Sequence, residues 1–124
     1  MQLRDVNNFS LALGEAQAIS GDAVFYNPNS SRMKLREVKI DVFLNGNKSA
    51  FVDQSTHIIA RPKEEFTIPV TLQLSSGVRL QDLLLGALTG KKYQVRYVGY
   101  LKVNVNGFPI RIPIDHEEEL KLSL

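Results

Sequence analysis

The stretch YQVRYVGYLKVNVNGFPIRIPI, residues 93–114, decides the fold because its pattern is that of one long β-hairpin. Every second residue over 93–105 is apolar or glycine, which is the period of a strand with one buried face. Asn106-Gly107 follows, and this dipeptide tolerates the positive φ angles of a tight two-residue turn. A second alternating run over residues 108–114 completes the hairpin, so the segment predicts two long antiparallel strands.

The same two-residue period recurs along most of the chain. It is found in residues 9–13, 38–44, 66–74 and 120–124, and a short segment, residues 23–26, follows Gly21. Asn45-Gly46 predicts a second hairpin, which leads to a short strand near residues 49–52. About seven strands with regular turns predict an all-β fold, an antiparallel two-sheet sandwich. A small barrel is the alternative, because periodicity does not separate the two.

Pro69 stands within the alternating run of residues 66–74. Proline has no N–H group to donate to a neighbouring strand. We therefore expect this strand to have a free side or a bulge at Pro69.

One segment departs from the strand period. Five apolar side chains share one face of a helix: Leu80, Leu83, Leu84, Ala87 and Leu88. Serines precede the segment and Gly90 follows it, as at the ends of many helices. The pattern predicts a single short helix over about residues 78–89 that packs on an open end of the sheets.

Composition bounds the organisation of the chain. Its 124 residues predict one domain, 1–124, since two independent cores would each be too small for comfort. Because there is no cysteine, disulfides, thiolate catalysis and cysteine-ligated zinc are excluded. The formal charge of +2 is too mild to predict a nucleic-acid partner, and we expect a monomer.

Neither a membrane-spanning segment nor a signal peptide is visible in the sequence. No apolar run approaches the roughly 20 residues that cross a bilayer, and the start MQLRDVNNF lacks an apolar h-region. The expected location is the cytoplasm, or the periplasm or a lipid anchor if an upstream export signal was removed.

No combination of residues indicates catalysis or a bound cofactor. His116 is flanked by Asp115 and Glu117, but consecutive strand residues point to opposite faces and do not converge on a metal. His57 has no comparable neighbours, and the sequence contains no phosphate-binding glycine loop or nucleophile elbow. We expect no catalytic residue, metal, cofactor or small-molecule substrate.

Arg32, Lys34 and Arg36 share one face of an extended strand and form a basic surface stripe. Such a stripe would suit anionic lipid headgroups or an acidic protein partner. The alternative, which the sequence favours, is an edge strand that carries basic residues against aggregation.

The triplet Asn27-Pro28-Asn29 ends the alternating segment before it. Pro28 cannot donate to a ladder and holds Asn27 in an extended conformation. Asparagine side chains can bond the backbone amides that an ended strand leaves unpaired. The triplet therefore predicts a structural turn.

The order of these features resembles a known family. AVFYNPN, residues 23–29, is similar to the strand that ends in Asn-Pro-Asn in the water stress and hypersensitive response (WHy) domain of type 2 late embryogenesis abundant proteins. Residues 35–46, 65–74, 80–88 and 93–114 resemble the strands, helix and hairpin that follow. Ser30-Ser31 stands where many plant members continue with an apolar residue and a Leu-Pro pair, which favours a bacterial member.

The resemblance implies an immunoglobulin-like or fibronectin-III-like sandwich without catalytic residues. It also implies a role in dehydration stress, and bacterial members are often exported or lipid-anchored. We expect a non-enzymatic protective or interaction domain that makes weak surface contacts with proteins or anionic membranes. The alternative is an exported structural adaptor that binds a protein partner through an edge strand.

Overall fold

The computed structural model describes residues 2–12, 18–79 and 89–121 of the chain. These contain seven β-strands: β1 (Gln2–Ala12), β2 (Ala18–Tyr26), β3 (Met33–Leu44), β4 (Asn47–Ala60), β5 (Glu65–Leu74), β6 (Lys92–Val105) and β7 (Phe108–Lys121). All pairings are antiparallel, which confirms the predicted all-β class and the number of strands. Of the helix predicted over about residues 78–89, residues 80–88 lie outside the described residues.

The strands form one hydrogen-bonded sheet in the order β1-β2-β5-β4-β3-β6-β7. Its two halves meet at β4 and β5, where only Ala50–Leu74 and Phe51–Gln73 are paired. The sheet curls at this short ladder, and both halves bury one face in a common apolar core. The prediction of two sheets differs from the structure here, because the short ladder joins the halves into one curled sheet.

The core lies on the inner face of this curled sheet. Its fully buried side chains come from both halves, with Phe25 and Ile68 on one side and Leu35, Leu101 and Val103 on the other. Burial alternates with exposure along β5, as the two-residue period predicts. The core therefore follows directly from the alternating sequence pattern.

Pro69 lies where β5 has a free side, which confirms that prediction. The β4 ladder reaches only Gln73 and Leu74 of β5, and the β2 register passes Pro69 without a bulge. Gln54 of β4 fills the gap: its Nε2 donates to the Pro69 carbonyl at 2.9 Å, and its Oε1 accepts from Thr71 N at 3.0 Å. A side chain thus replaces the missing backbone ladder.

Both predicted Asn-Gly hairpins are confirmed. The φ angles are 51° and 85° at Asn45-Gly46, and 51° and 83° at Asn106-Gly107, as in type I′ turns. The strand after the first turn is longer than predicted, since β4 runs over Asn47–Ala60. β3 also begins earlier than predicted, at Met33. A bulge between Leu35 and Glu37 shifts the alternation, so the two-residue period did not reveal the first residues of the strand.

Among the described residues there is no helix that is long and apolar enough to cross a membrane.

Candidate functional site

Asn27 is the buried centre of the turn between β2 and β3. Its side chain is 0% exposed, although it is polar. Its Nδ2 lies within hydrogen-bonding distance of three carbonyl oxygens, those of Ser31 at 3.2 Å and of Ala60 and Arg61 at 3.3 Å. Its Oδ1 accepts from Asn29 N at 3.0 Å. Every polar atom of this side chain therefore has a partner within the protein.

The backbone of the triplet is tied to the connection between β4 and β5. Asn27 N donates to the Glu64 carbonyl at 3.1 Å, and Lys63 N donates to the Asn27 carbonyl at 2.9 Å. The Lys63 side chain also donates to the Pro28 carbonyl. Asn27 thus joins two loops at one end of the sheet, while Pro28 is half-buried and Asn29 exposed.

The basic stripe lies at the same end of the sheet. Arg32, Lys34 and Arg36 are all exposed, and among the described residues none of them forms an ion pair. The interpretation of an edge strand is wrong, because β3 pairs with β4 on one side and β6 on the other. The stripe therefore lies at the start of an interior strand, at one end of the outer face, which is the face turned away from the core.

The strand register adds two further cations to the stripe. Glu37 pairs with Lys102 of β6, and Lys102 pairs with Arg111 of β7. The acid is in an ion pair at 3.9 Å between Lys102 Nζ and Glu37 Oε2. A shallow groove runs here, with Arg36, His57, Lys102 and Pro109 among its lining residues. We call the five cationic residues Arg32, Lys34, Arg36, Lys102 and Arg111 the basic end.

Large exposed apolar side chains lie beside the basic end. Three are found among the described residues: Phe108 is 71% exposed, Ile59 50% and Ile110 45%. Ile59 pairs with Lys34 across β4 and β3, and Phe108 directly follows the β6–β7 turn. Ile110 borders an open groove on the inner side, which reaches the loop of residues 29–31.

The opposite end of the outer face carries three ion-paired cations and four acids. Arg96 binds Asp115 through two hydrogen bonds, from Nε at 2.9 Å and Nη2 at 2.7 Å, and Glu117 lies 3.7 Å away. The hydrogen bonds from Arg96 lower the pKa of the Asp115 carboxyl. Two more ion pairs, Lys92–Glu119 at 3.4 Å and Lys48–Asp41 at 3.3 Å, complete this end. The face is therefore polarised from a matched end to a cationic one.

The two histidines are not brought together. His57 lies on the outer face of β4, whereas His116 of β7 stacks on the inner side against Tyr97, with ring centroids 6.2 Å apart. Tyr97 Oη donates to Glu118 Oε1 at 2.9 Å, and burial raises the pKa of this phenol. Among the described residues, no group of three or more His, Asp or Glu side chains is arranged to hold a metal.

Sequence reasoning found Asn27 and the first three cations but did not connect Lys102, Arg111 and the apolar neighbours to them. These residues are separated by many positions in the chain, and only the register of β4, β3, β6 and β7 brings them together. The sequence signal that could have indicated an exposed Phe108 was its position directly after Asn106-Gly107. A residue beside a tight turn has few neighbours that could bury it.

Two comparisons with known proteins found similarity, one to a family model and one to a solved structure. The model of a family described as late embryogenesis abundant protein matches residues 24–118, which include the turn at Asn27 and the basic end. A crystal structure of a protein from Archaeoglobus fulgidus is similar, with a TM-score of 0.60 and 15% identity over 99% of both chains. At that identity the likeness shows the fold alone. A comparison with curated proteins gave no match.

Proposed function

Because the chain belongs to the late embryogenesis abundant protein family, we propose that it is a non-enzymatic, stress-related protein that acts through surface contacts with proteins or membranes. The family match over residues 24–118 carries this proposal. The polarised outer face supports a role in surface contact, since Arg32, Lys34 and Arg36 have no ion-pair partner among the described residues. Charges left unmatched on a surface attract oppositely charged partners.

The non-enzymatic part of the proposal is supported by the states of the polar groups. Asn27, the most buried polar side chain of the family-like triplet, uses its amide for three carbonyls and one backbone N–H. Asp115 and Glu119 are held in exposed ion pairs with Arg96 and Lys92. The polar atoms of these side chains are therefore engaged by partners within the protein.

The subgroup is also a proposal. AVFYNPN at the end of β2 supports a WHy domain, and with it a role in desiccation. A relation to immunoglobulin or fibronectin-III sandwiches is likewise only proposed: β1-β2-β5 faces β4-β3-β6-β7 across the core, although two residue pairs between β4 and β5 join the halves into one sheet. A bacterial origin with export or a lipid anchor remains a prediction.

A lipid-free drying assay tests the proposed function. A labile soluble enzyme is dried and rehydrated with this protein or with an equal mass of an inert globular protein. We expect more of the enzyme activity to survive with this protein, because its surface contacts separate the enzyme molecules. Equal survival in the two samples would contradict a protective role toward proteins.

The alternative function, an adaptor that binds a partner through an edge strand, is restricted by the topology. The edge strands of the sheet are β1 and β7. Val105 and Phe108 flank the two-residue turn between β6 and β7, so their backbone groups are hydrogen-bonded to each other. Pro109 and Pro113 then occupy positions whose N–H groups would face the free edge, so the first half of β7 resists pairing. The second half keeps its free donors.

Glu117→Pro tests this alternative. Glu117 is an even number of positions from Pro109 and Pro113 along β7, so its backbone N–H group also faces the free edge. The substitution therefore removes a donor from the free edge and leaves the hydrogen bonds to β6 in place. If an adaptor pairs through β7, the variant recovers less of its protein partner from a cell extract. Unchanged recovery would exclude pairing through this half of β7.

A further inference from the structure

We propose that the basic end docks on the surface of anionic lipid bilayers, with Phe108 and Ile110 entering the bilayer interface and the five cations contacting lipid phosphates. The inference takes the non-enzymatic surface-contact function as its premise and names the partner. It concerns one end of the molecule and leaves the opposite end in water.

The exposed apolar side chains gather at one end of the molecule. Phe108 and Ile110 stand on the inner side of the strand that leaves the tight turn at Asn106-Gly107. Ile59 lies three strands away at the same end, on the outer side, in the row of Lys34 and Asn104. Single exposed apolar residues are normal on a protein surface, whereas several at one end indicate a contact surface. The rigid hairpin presents Phe108 at its tip, with 71% of the residue exposed.

The same end of the molecule carries an excess of positive charge. The basic end has five cations and a single carboxylate in its rows, that of Glu37, which is paired with Lys102. Arg111 stacks over the Tyr100 ring at 4.7 Å and keeps its guanidinium at the surface. The adjoining loop and the first residue of β5 contribute Arg61 and Lys63 against Glu64 and Glu65, so together they add no net charge. Anionic headgroups would balance the excess, and each basic residue near such a surface strengthens binding.

The aromatic side chains of the basic end suit a bilayer better than a nucleic acid. A single-stranded nucleic acid binds where exposed aromatic rings alternate with basic residues, so that bases can stack. Here the outer-face aromatic Tyr100 is only half exposed and its ring is covered by Arg111. Phe108 is at the turn, beyond the row of cations, as expected for a side chain that inserts while the cations stay at the headgroups.

Vesicle flotation tests this inference. The full chain is mixed with vesicles of phosphatidylcholine alone or of phosphatidylcholine with phosphatidylserine. We expect binding only to the anionic vesicles, and weaker binding at high salt because the contacts with headgroups are exposed. Binding to neither, or equal binding to both, would overturn the inference.

Three variants locate the contact. Lys34→Gln with Arg36→Gln should reduce anionic-vesicle binding by about 30-fold, and Phe108→Ser by about tenfold or more. Lys48→Gln with Lys92→Gln removes the same charge from the opposite end and should change binding several-fold less. All five side chains are exposed, and circular dichroism confirms that each variant is folded. Equal losses for the two double variants would overturn the assignment to the basic end.

Two further outcomes are distinguishable. If polyuridylate binds through Lys34 and Arg36, competes with vesicles and is indifferent to Phe108→Ser, the surface is a nucleic-acid site and bilayer docking is wrong. If the protein protects an enzyme in the lipid-free drying assay but floats with no vesicle, docking fails while the proposed function stands.

Discussion

Asn27 and Ala60 are joined by a buried hydrogen bond across 33 positions of the chain, with Asn27 Nδ2 at 3.3 Å from the Ala60 carbonyl. The bond connects the end of β2 to the end of β4, two strands that are not neighbours in the sheet. A turn that would need only local bonds is thereby made part of the contact between the two halves of the curled sheet.

Asn27→Ala should destabilise the protein by about 2–3 kcal/mol, because it leaves buried carbonyls without a donor. Asn27→Asp should be at least as harmful, since a carboxylate accepts hydrogen bonds and cannot donate to the carbonyls of Ser31, Ala60 and Arg61. Urea unfolding measures both effects. Asn29→Ala is the matched control, because that side chain is exposed and should cost less than about 0.5 kcal/mol. Equal stability of Asn27→Ala and wild type would contradict the structural role.

Gly99→Ala should cost about 3 kcal/mol or more, or prevent folding, because β6 has no room for a methyl group there. A Cβ at Gly99 would lie 2.0 Å from the Lys39 carbonyl oxygen and 2.7 Å from the Ile40 Cα, both backbone atoms. Thermal unfolding measures the effect. Gly46→Ala is the informative comparison, since its Cβ would meet nothing within 4 Å but its φ of 85° strains any other residue. We expect Gly46→Ala to cost about 1 kcal/mol from backbone strain alone. A larger cost for Gly99→Ala would then be due to steric overlap.

Local patterns predicted the strands, and nonlocal contacts set the limits of that prediction. Alternation and two Asn-Gly turns are read from a few consecutive residues, so the hairpins at Asn45 and Asn106 were correct. The bulge at Arg36 breaks the period: Leu35 and Val38 are both buried although they are three positions apart. The start of β3 was missed for that reason. The pairing of β4 with β5, which joins the two halves of the sheet, is a contact between separate strands and cannot be read from a local pattern.

The difference between local patterns and nonlocal pairing also explains which residues of the basic end the sequence indicated. Arg32, Lys34 and Arg36 lie close in sequence and share a face by alternation alone. Lys102 and Arg111 join them only through the pairing of β3 with β6 and of β6 with β7. The edge-strand interpretation failed because charge in a strand does not indicate how many neighbours that strand has.

Asp115→Asn should slightly lower the free energy of unfolding near neutral pH. The stability of the variant should then fall less than that of the wild type as the pH is lowered. The hydrogen bonds from Arg96 lower the pKa of Asp115 from its ordinary 3.8, so its contribution is present above that pH. It is lost as the pH falls through the folded-state pKa. Unfolding measured over the acid range, at low and high salt, tests this, since salt screens an exposed pair. Asp53→Asn, at an exposed carboxylate without an ion pair among the described residues, is the control. Identical acid profiles for the two variants would contradict the prediction.

Tyr97→Phe should destabilise the protein by about 1 kcal/mol near neutral pH, because Glu118 loses the hydrogen bond that Tyr97 Oη donates at 2.9 Å. The alkaline profile should also change. Burial raises the pKa of Tyr97 above its ordinary 10.0, so the folded protein keeps a proton that the unfolded chain releases, and stability falls as the pH rises beyond that value. Phenylalanine cannot ionise, and the stability of the variant should therefore decline less between neutral and strongly alkaline pH. Tyr100→Phe, on the outer face and without a hydrogen bond to Glu118, is the control. A wild type and a Tyr97→Phe variant with parallel alkaline declines would show that Tyr97 ionises as readily in the folded protein as in the unfolded chain.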